Sequence, residues 1–140
     1  MSITSRVEYI GNLRTKCIHI QSNSEVVTDA PKDNNGKGER FSPTDLVATS
    51  LASCMITVMG IKANNASISF KLVSAEVTKV MASNPRRICE IMVSFSIGDN
   101  WNKKERMIME KTARTCPVAK SLSSEVLQKI DFSYTLDNKD

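Results

Sequence analysis

The order of patterns along the chain predicts an α+β domain, with strand segments before and after one long apolar helix. Residues 41–62, FSPTDLVATSLASCMITVMGIK, hold no charge between Asp45 and Lys62, and their apolar residues fall on every side of a helical wheel. A helix of that kind is buried. Strand-type alternation stands on both sides of it, at residues 3–10 and 15–28 before and at 67–81 and 88–97 after. A chain of 140 residues, 41% hydrophobic and 24% charged, has the size and composition of one globular domain, residues 1–140.

The elements follow in order. Gly11-Asn12 marks a turn between the first two strand segments, and Arg14 stands just after it. In Lys16-Cys17-Ile18-His19-Ile20 the residues Cys17 and His19 share one face, read as the solvent side of a strand. Asp29 to Arg40, DAPKDNNGKGER, is polar and rich in Gly and Asn, hence a loop; loops of this length in small domains are often functional. Gly36 and Gly38 complete no phosphate-loop signature.

In the central helix Ser42 suits the cap and Pro43 the first helical position. The uncharged run falls short of the roughly 20 apolar residues of a membrane span, and it contains Thr49, Ser50, Ser53 and Thr57. It reads as a core helix ending at Ala63-Asn64-Asn65, with no membrane as partner. The next two strands join through Ser83-Asn84-Pro85-Arg86; alternation places Cys89 with Ile91, Val93, Phe95 and Ile97 on the core face, and the apolar phase breaks at Leu72–Val73. A helix begins at Asn102 with Glu105 placed for a capping box. Cys116 continues its buried stripe of Ile108, Met109, Thr112 and Ala113. Pro117 then starts a second helix with the stripe Val118, Leu122 and Val126. Phe132, Tyr134 and Leu136 alternate in a last strand before a charged tail.

The net charge of +4 is spread without a basic block, which argues against nucleic acid or an anionic surface as partner. MSITSRVEYI lacks the apolar run of a signal peptide, so a cytoplasmic protein is expected. In a reducing compartment four cysteines are free, metal-bound or catalytic rather than a disulfide framework. With no C-x-x-C pair and His19 as the only histidine, neither metal nor cofactor is expected. Cys54, midway along the apolar helix, and Cys116, at a Pro-marked helix start, are each open to two readings. Free cysteine is among the most buried residue types, while a helix N-terminus favours a reactive thiolate.

SPTDLVATSLASCM, followed much later by TCPVAKSL, resembles the OsmC/Ohr family of osmotically inducible and organic hydroperoxide resistance proteins. The order of elements matches along nearly the whole chain. The resemblance implies an OsmC-like fold, an intertwined homodimer whose antiparallel sheets wrap the central helices, with active sites at the subunit interface. It implies a thiol peroxidase that reduces organic hydroperoxides, with Cys54 peroxidatic and Cys116 resolving, re-reduced by a dithiol such as a lipoyl protein. Apolar neighbours of Cys54, namely Met55, Val58 and Ile61, would suit an organic substrate. The family's hairpin arginine corresponds to Arg14, with Arg40 second in line. Where Ohr enzymes carry a Glu after the helix-starting Pro, this chain has Thr44, leaving Glu39 or Asp45 to supply the carboxylate. That departure points to an OsmC-like branch distinct from true Ohr. The alternative reading is a non-catalytic dimer that binds an apolar ligand or senses oxidants.

Overall fold

The first sheet is organised by left-handed backbone. Gly11, Asn12 and Leu13 all have positive φ, and across them β1 (Ser5–Gly11) pairs antiparallel with β2 (Arg14–His19). The stretch 15–28, read from sequence as one strand-like run, is two strands. β2 stops at His19, the chain reverses through Asn23 (φ 62), and β3 (Glu25–Asp29) returns antiparallel to β2. Turn chemistry makes the break, since Ser22 Oγ sits 2.6 Å from His19 Nδ1 and accepts the Ser24 N–H at 3.2 Å. Cys17 is half-buried and His19 exposed.

The computed structural model describes residues 1–136, so the charged tail lies outside the described residues. The chain forms two compact units, residues 1–47 and 48–140. In the first, the sheet order is β1-β2-β3, and the loop after β3 opens with a turn of 3-10 helix at Lys32–Asn34. A Cβ at Gly36 would run into the Ala30 carbonyl, so only glycine fits that close approach.

The long helix α1 (Pro43–Ala66) starts at a capping box. The Asp45 N–H donates to Ser42 Oγ at 3.1 Å and the Ser42 N–H to the Asp45 carboxylate at 2.9 Å. The helix runs past the expected stop at Ala63-Asn64-Asn65, and Ser67 (φ 55) ends it in the left-handed conformation usual after a helix. Its 24 residues are long and apolar enough, by length and composition alone, to cross a membrane. Ala48, Leu51, Ala52, Met55, Met59 and Ala63 form its buried stripe. Burial is therefore one-sided within the chain: Cys54 and Val58 are half-buried and Ile61 is 56% exposed.

The second sheet receives that stripe. β4 (Val73–Ala82) and β5 (Arg87–Ile97) pair antiparallel, joined through a cis Asn84–Pro85 peptide bond, and β6 (Leu127–Tyr134) lies parallel to β5. A parallel neighbour needs a crossover, supplied by α2 (Lys103–Ala113) and α3 (Pro117–Ser121). β6 begins earlier than its apolar alternation announces, and Leu136 lies beyond it, 46% exposed. β4 starts later than expected because the residues before it serve the buried Asp99. Its carboxylate accepts from Ser69 Oγ (2.8 Å), the Lys71 N–H (3.0 Å) and the Leu72 N–H (2.8 Å).

Cys89 departs from its predicted place. Val80 pairs with Glu90 and Met81 with Ile88, so Cys89 is the extra residue of a bulge. A one-residue slip exchanges faces. Ile88 packs against the core instead, and the half-buried Cys89 thiol donates to the Val80 carbonyl at 3.4 Å. The inward face of β5, Ile91, Val93, Phe95 and Ile97, completes the core with Trp101, Met109, Ala113 and Cys116.

Candidate active site

Cys54 faces away from the most deeply buried side of α1, one residue before Met55, and packs at the core edge with Val58. Of the apolar neighbours expected for it, Met55 is fully buried in the core and Ile61 is exposed.

Cys116 reaches the same core from the break between α2 and α3. α2 holds the predicted capping box: the Glu105 N–H donates to Asn102 Oδ1 at 2.8 Å and the Asn102 N–H to Glu105 Oε1 at 3.0 Å. It ends at Ala113, short of Cys116, because Pro117 cannot continue a helical ladder. Cys116 is extended (φ −63°, ψ 144°) and caps α3, its Sγ accepting the Ala119 N–H at 3.3 Å. α3 has only five residues, so Leu122 and Val126 of the expected stripe lie outside it. Gln128 Nε2 of β6 donates to the Ala119 carbonyl at 3.0 Å and pins this turn to the sheet.

The two thiols share one core cluster. Cys116 is 0% exposed. Burial pushes its thiol up, the Ala119 N–H opposes that, and hydrogen bonding to Cys54 with the repulsion of its charge pushes it further up. The helix-terminus argument for a Cys116 thiolate is thus overturned: the Ala119 and Val118 N–H groups of a five-residue helix do not outweigh desolvation. The Cys116 thiol is thereby held in its protonated form. Two thiols far apart in sequence thus belong to one apolar cluster, near enough for one to affect the other's ionisation.

The charged candidates belong to the first unit. Arg14 opens β2 opposite Asp29, the last residue of β3. Its Nη2 donates to Glu39 Oε1 at 2.8 Å and to Asp29 Oδ2 at 3.4 Å. The Glu39 N–H donates to the same Asp29 oxygen at 3.0 Å. That bond is the chief cause holding the Asp29 carboxyl below the usual range, against the opposing effect of burial and with help from Arg14. Asp29 was not a sequence candidate. Its signal is the cross-strand pairing with Arg14, invisible while residues 15–28 read as one strand. Asp45 is engaged in the α1 cap, and Arg40 is exposed. Glu39, Arg40 and Asp45 line an open cleft of about 620 Å³ with Val26 and Phe41. Among the described residues no three His, Cys, Asp or Glu side chains gather as a metal site.

Residues 36–131 match the family described as OsmC-like protein. No curated protein matches the chain. Among solved structures, a candidate osmotic stress induced and detoxification response protein from Psychrobacter arcticus 273-4 is 52% identical, with a TM-score of 0.91 over 95% of this chain and 97% of that one. An OsmC like protein from Mycoplasma pneumoniae shares the fold at 16% identity, with a TM-score of 0.81 over 97% and 99% of the two chains. The organic hydroperoxide resistance protein OsmC from Legionella pneumophila does so at 20% identity, with a TM-score of 0.71 over 94% and 97%. A family match over more than half the chain and a relative of such identity have one consequence: the chain belongs to the OsmC-like protein family.

Proposed function

We propose that this protein is a thiol peroxidase that reduces organic hydroperoxides to alcohols. The observation that carries the reading is that Cys54 packs against the core that buries Cys116, near enough to influence its ionisation. The Legionella protein of the same fold is named for organic hydroperoxide resistance, and the apolar packing around Cys54 and Val58 suits an alkyl substrate.

The Cys54 thiolate attacks one peroxide oxygen, the O–O bond breaks, and the departing alkoxide takes a proton to leave as alcohol. Cys54 is then a sulfenic acid. The Cys116 thiol condenses with it, forming the S–S bond and releasing water. A dithiol reductant, such as a protein-borne lipoyl group, returns two electrons and two protons by thiol–disulfide exchange. Keeping Cys116 protonated until that step prevents two adjacent anions in a place that water barely reaches.

By the resemblance, Arg14 is the cation that holds the Cys54 thiolate, with Arg40 the second choice. Glu39, paired with Arg14, takes the part that Thr44 cannot. Asp45 is the weaker carboxylate because the α1 cap occupies it. The working unit is a homodimer, which would cover the apolar face that α1 leaves open at Val58 and Ile61.

Purified protein is expected to consume tert-butyl or cumene hydroperoxide in the presence of a dithiol, and Cys54→Ser to abolish this. Full turnover by Cys54→Ser would remove Cys54 from the role, whereas slow oxidation without turnover by the native chain would leave the sensing alternative.

A further inference from the structure

Asp29 has no part in the chemistry above, yet its side chain is 0% exposed and its carboxylate organises its surroundings. One oxygen, Oδ2, takes both the Arg14 Nη2–H and the Glu39 backbone N–H. Arg14 Nη2 in turn carries both of its carboxylate contacts, to Asp29 and to Glu39. The usual arginine–carboxylate pair is a fork that occupies two nitrogens. Here the carboxylates converge on one, and Arg14 Nε is left buried without an acceptor. Buried donors are rarely left unpaired, and one that is calls for an explanation.

We propose that Asp29 is a positioning residue, which holds the Arg14 guanidinium by Nη2 so that the Nε–H edge is presented to an anion. The inference rests on the reading that Arg14 serves the Cys54 thiolate. Asp29 rather than Glu39 is the anchor because of their settings. The Glu39 side chain is 59% exposed, and water and salt screen such a pair. The Asp29 carboxylate is closed off from solvent, so water and salt screen its charge less. It also fixes the backbone of Glu39, so that losing Asp29 loosens both the guanidinium and its second partner. The second oxygen of Asp29, Oδ1, is itself buried without a donor. The hold therefore comes through Oδ2 and the negative charge, and Asp29→Asn keeps shape and an acceptor while removing the charge.

The test uses the full-length protein and reads the pH profile of Cys54 alkylation by mass spectrometry, together with kcat and KM for cumene hydroperoxide. Asp29→Asn is expected to move the alkylation midpoint upward by about one pH unit, in the same direction as Arg14→Gln. Glu39→Gln should shift it less than either. Because Asp29 acts through Arg14, the double variant should be no worse than Arg14→Gln alone. A purely structural role would lower thermal stability and leave the alkylation profile in place, and that result overturns the proposal. If Arg14→Gln moves the profile and Asp29→Asn does not, Asp29 is no positioning residue while the reading of Arg14 stands. If Arg14→Gln itself has no effect, that reading fails and this inference with it. Should Asp29→Asn not fold, Asp29→Ser also removes the charge; an unchanged alkylation profile in that variant likewise overturns the proposal.

Discussion

Burial divides the work between the two thiols. Cys116, closed off from water and pushed up by desolvation, holds its proton at neutral pH, and a charge on Cys54 strengthens that hold. Cys54, half-buried at the core edge, is the thiol that a reagent can reach. A thiolate, not a thiol, is the nucleophile, so in the proposed mechanism the first chemical step is assigned to Cys54 and the second to Cys116. Cys116→Ser should therefore leave a single turnover intact, releasing one alcohol per chain, and suppress steady-state turnover by at least about tenfold. With excess peroxide the unprotected Cys54 should advance to sulfinic acid. Rapid-quench alcohol measurement and intact-mass spectrometry check both parts. Unimpaired steady-state turnover would remove Cys116 from the resolving role.

Among the elements, the start of the second sheet depends on one side chain. Asp99, 5% exposed, gathers Ser69, Lys71 and Leu72 at the point where β4 begins. Nearby, Trp101 donates Nε1–H to the Ser69 carbonyl at 2.6 Å, fastening the same segment. Burial by itself would raise the Asp99 carboxyl; the Leu72 N–H, the Ser69 hydroxyl and the Lys71 N–H outweigh it, and the net shift is downward from 3.8. A carboxyl depressed in the folded state contributes stability that is present above its unfolded value and lost as pH falls through the folded one. Asp99→Ala strands several buried donors and is expected to cost on the order of 3 kcal/mol. It should also flatten the acid side of a plot of melting temperature against pH below about 4. Thermal melts across pH 2–7 check both, and an acid limb as steep as the native one would show that Asp99 does not carry it.

This element also shows how far the residues could be read in advance. The phase break at Leu72–Val73 was legible, and β4 does begin there; the cause was not, because Asp99 is contributed from 27 residues away by a fold not yet known. Local chemistry reads well: the Asn102/Glu105 box, the Ser42-Pro43 helix start and the Gly11-Asn12 turn depend on near neighbours and stand as expected. Pairing reads poorly. Cys89 left the core face because β4 and β5 slip by one residue, and no alternation within a single strand encodes its partner's register. The thiols of Cys54 and Cys116 were legible only as two motifs, while the buried Asp29 was hidden by an unrecognised turn at Ser22-Asn23.

At the scale of the molecule, each unit leaves large apolar side chains open to solvent. In the first unit Val7 (60% exposed), Tyr9 (69%) and Val26 (44%) lie on one face of the sheet, with Cys17 between Val7 and Val26 in register. In the second, α1 leaves Val58 half-buried and Ile61 exposed along a helix that carries no charge from Leu46 to Ile61. Exposed apolar side chains of this kind are what a partner surface covers. A second copy of the chain is the partner that the OsmC-like fold leads us to propose. Sedimentation equilibrium at micromolar concentration should return twice the chain mass. Ile61→Lys places a charge on the open face of α1, where in an isolated chain it would meet only water and change stability by less than about 0.5 kcal/mol. In a dimer that buries the position, the unpaired ammonium should weaken association by several kcal/mol, giving single-chain mass at the same concentration and a lower, concentration-dependent melting temperature. A native protein that sediments at single-chain mass, with an Ile61→Lys variant that melts like it, would mean that the open face of α1 is tolerated in water.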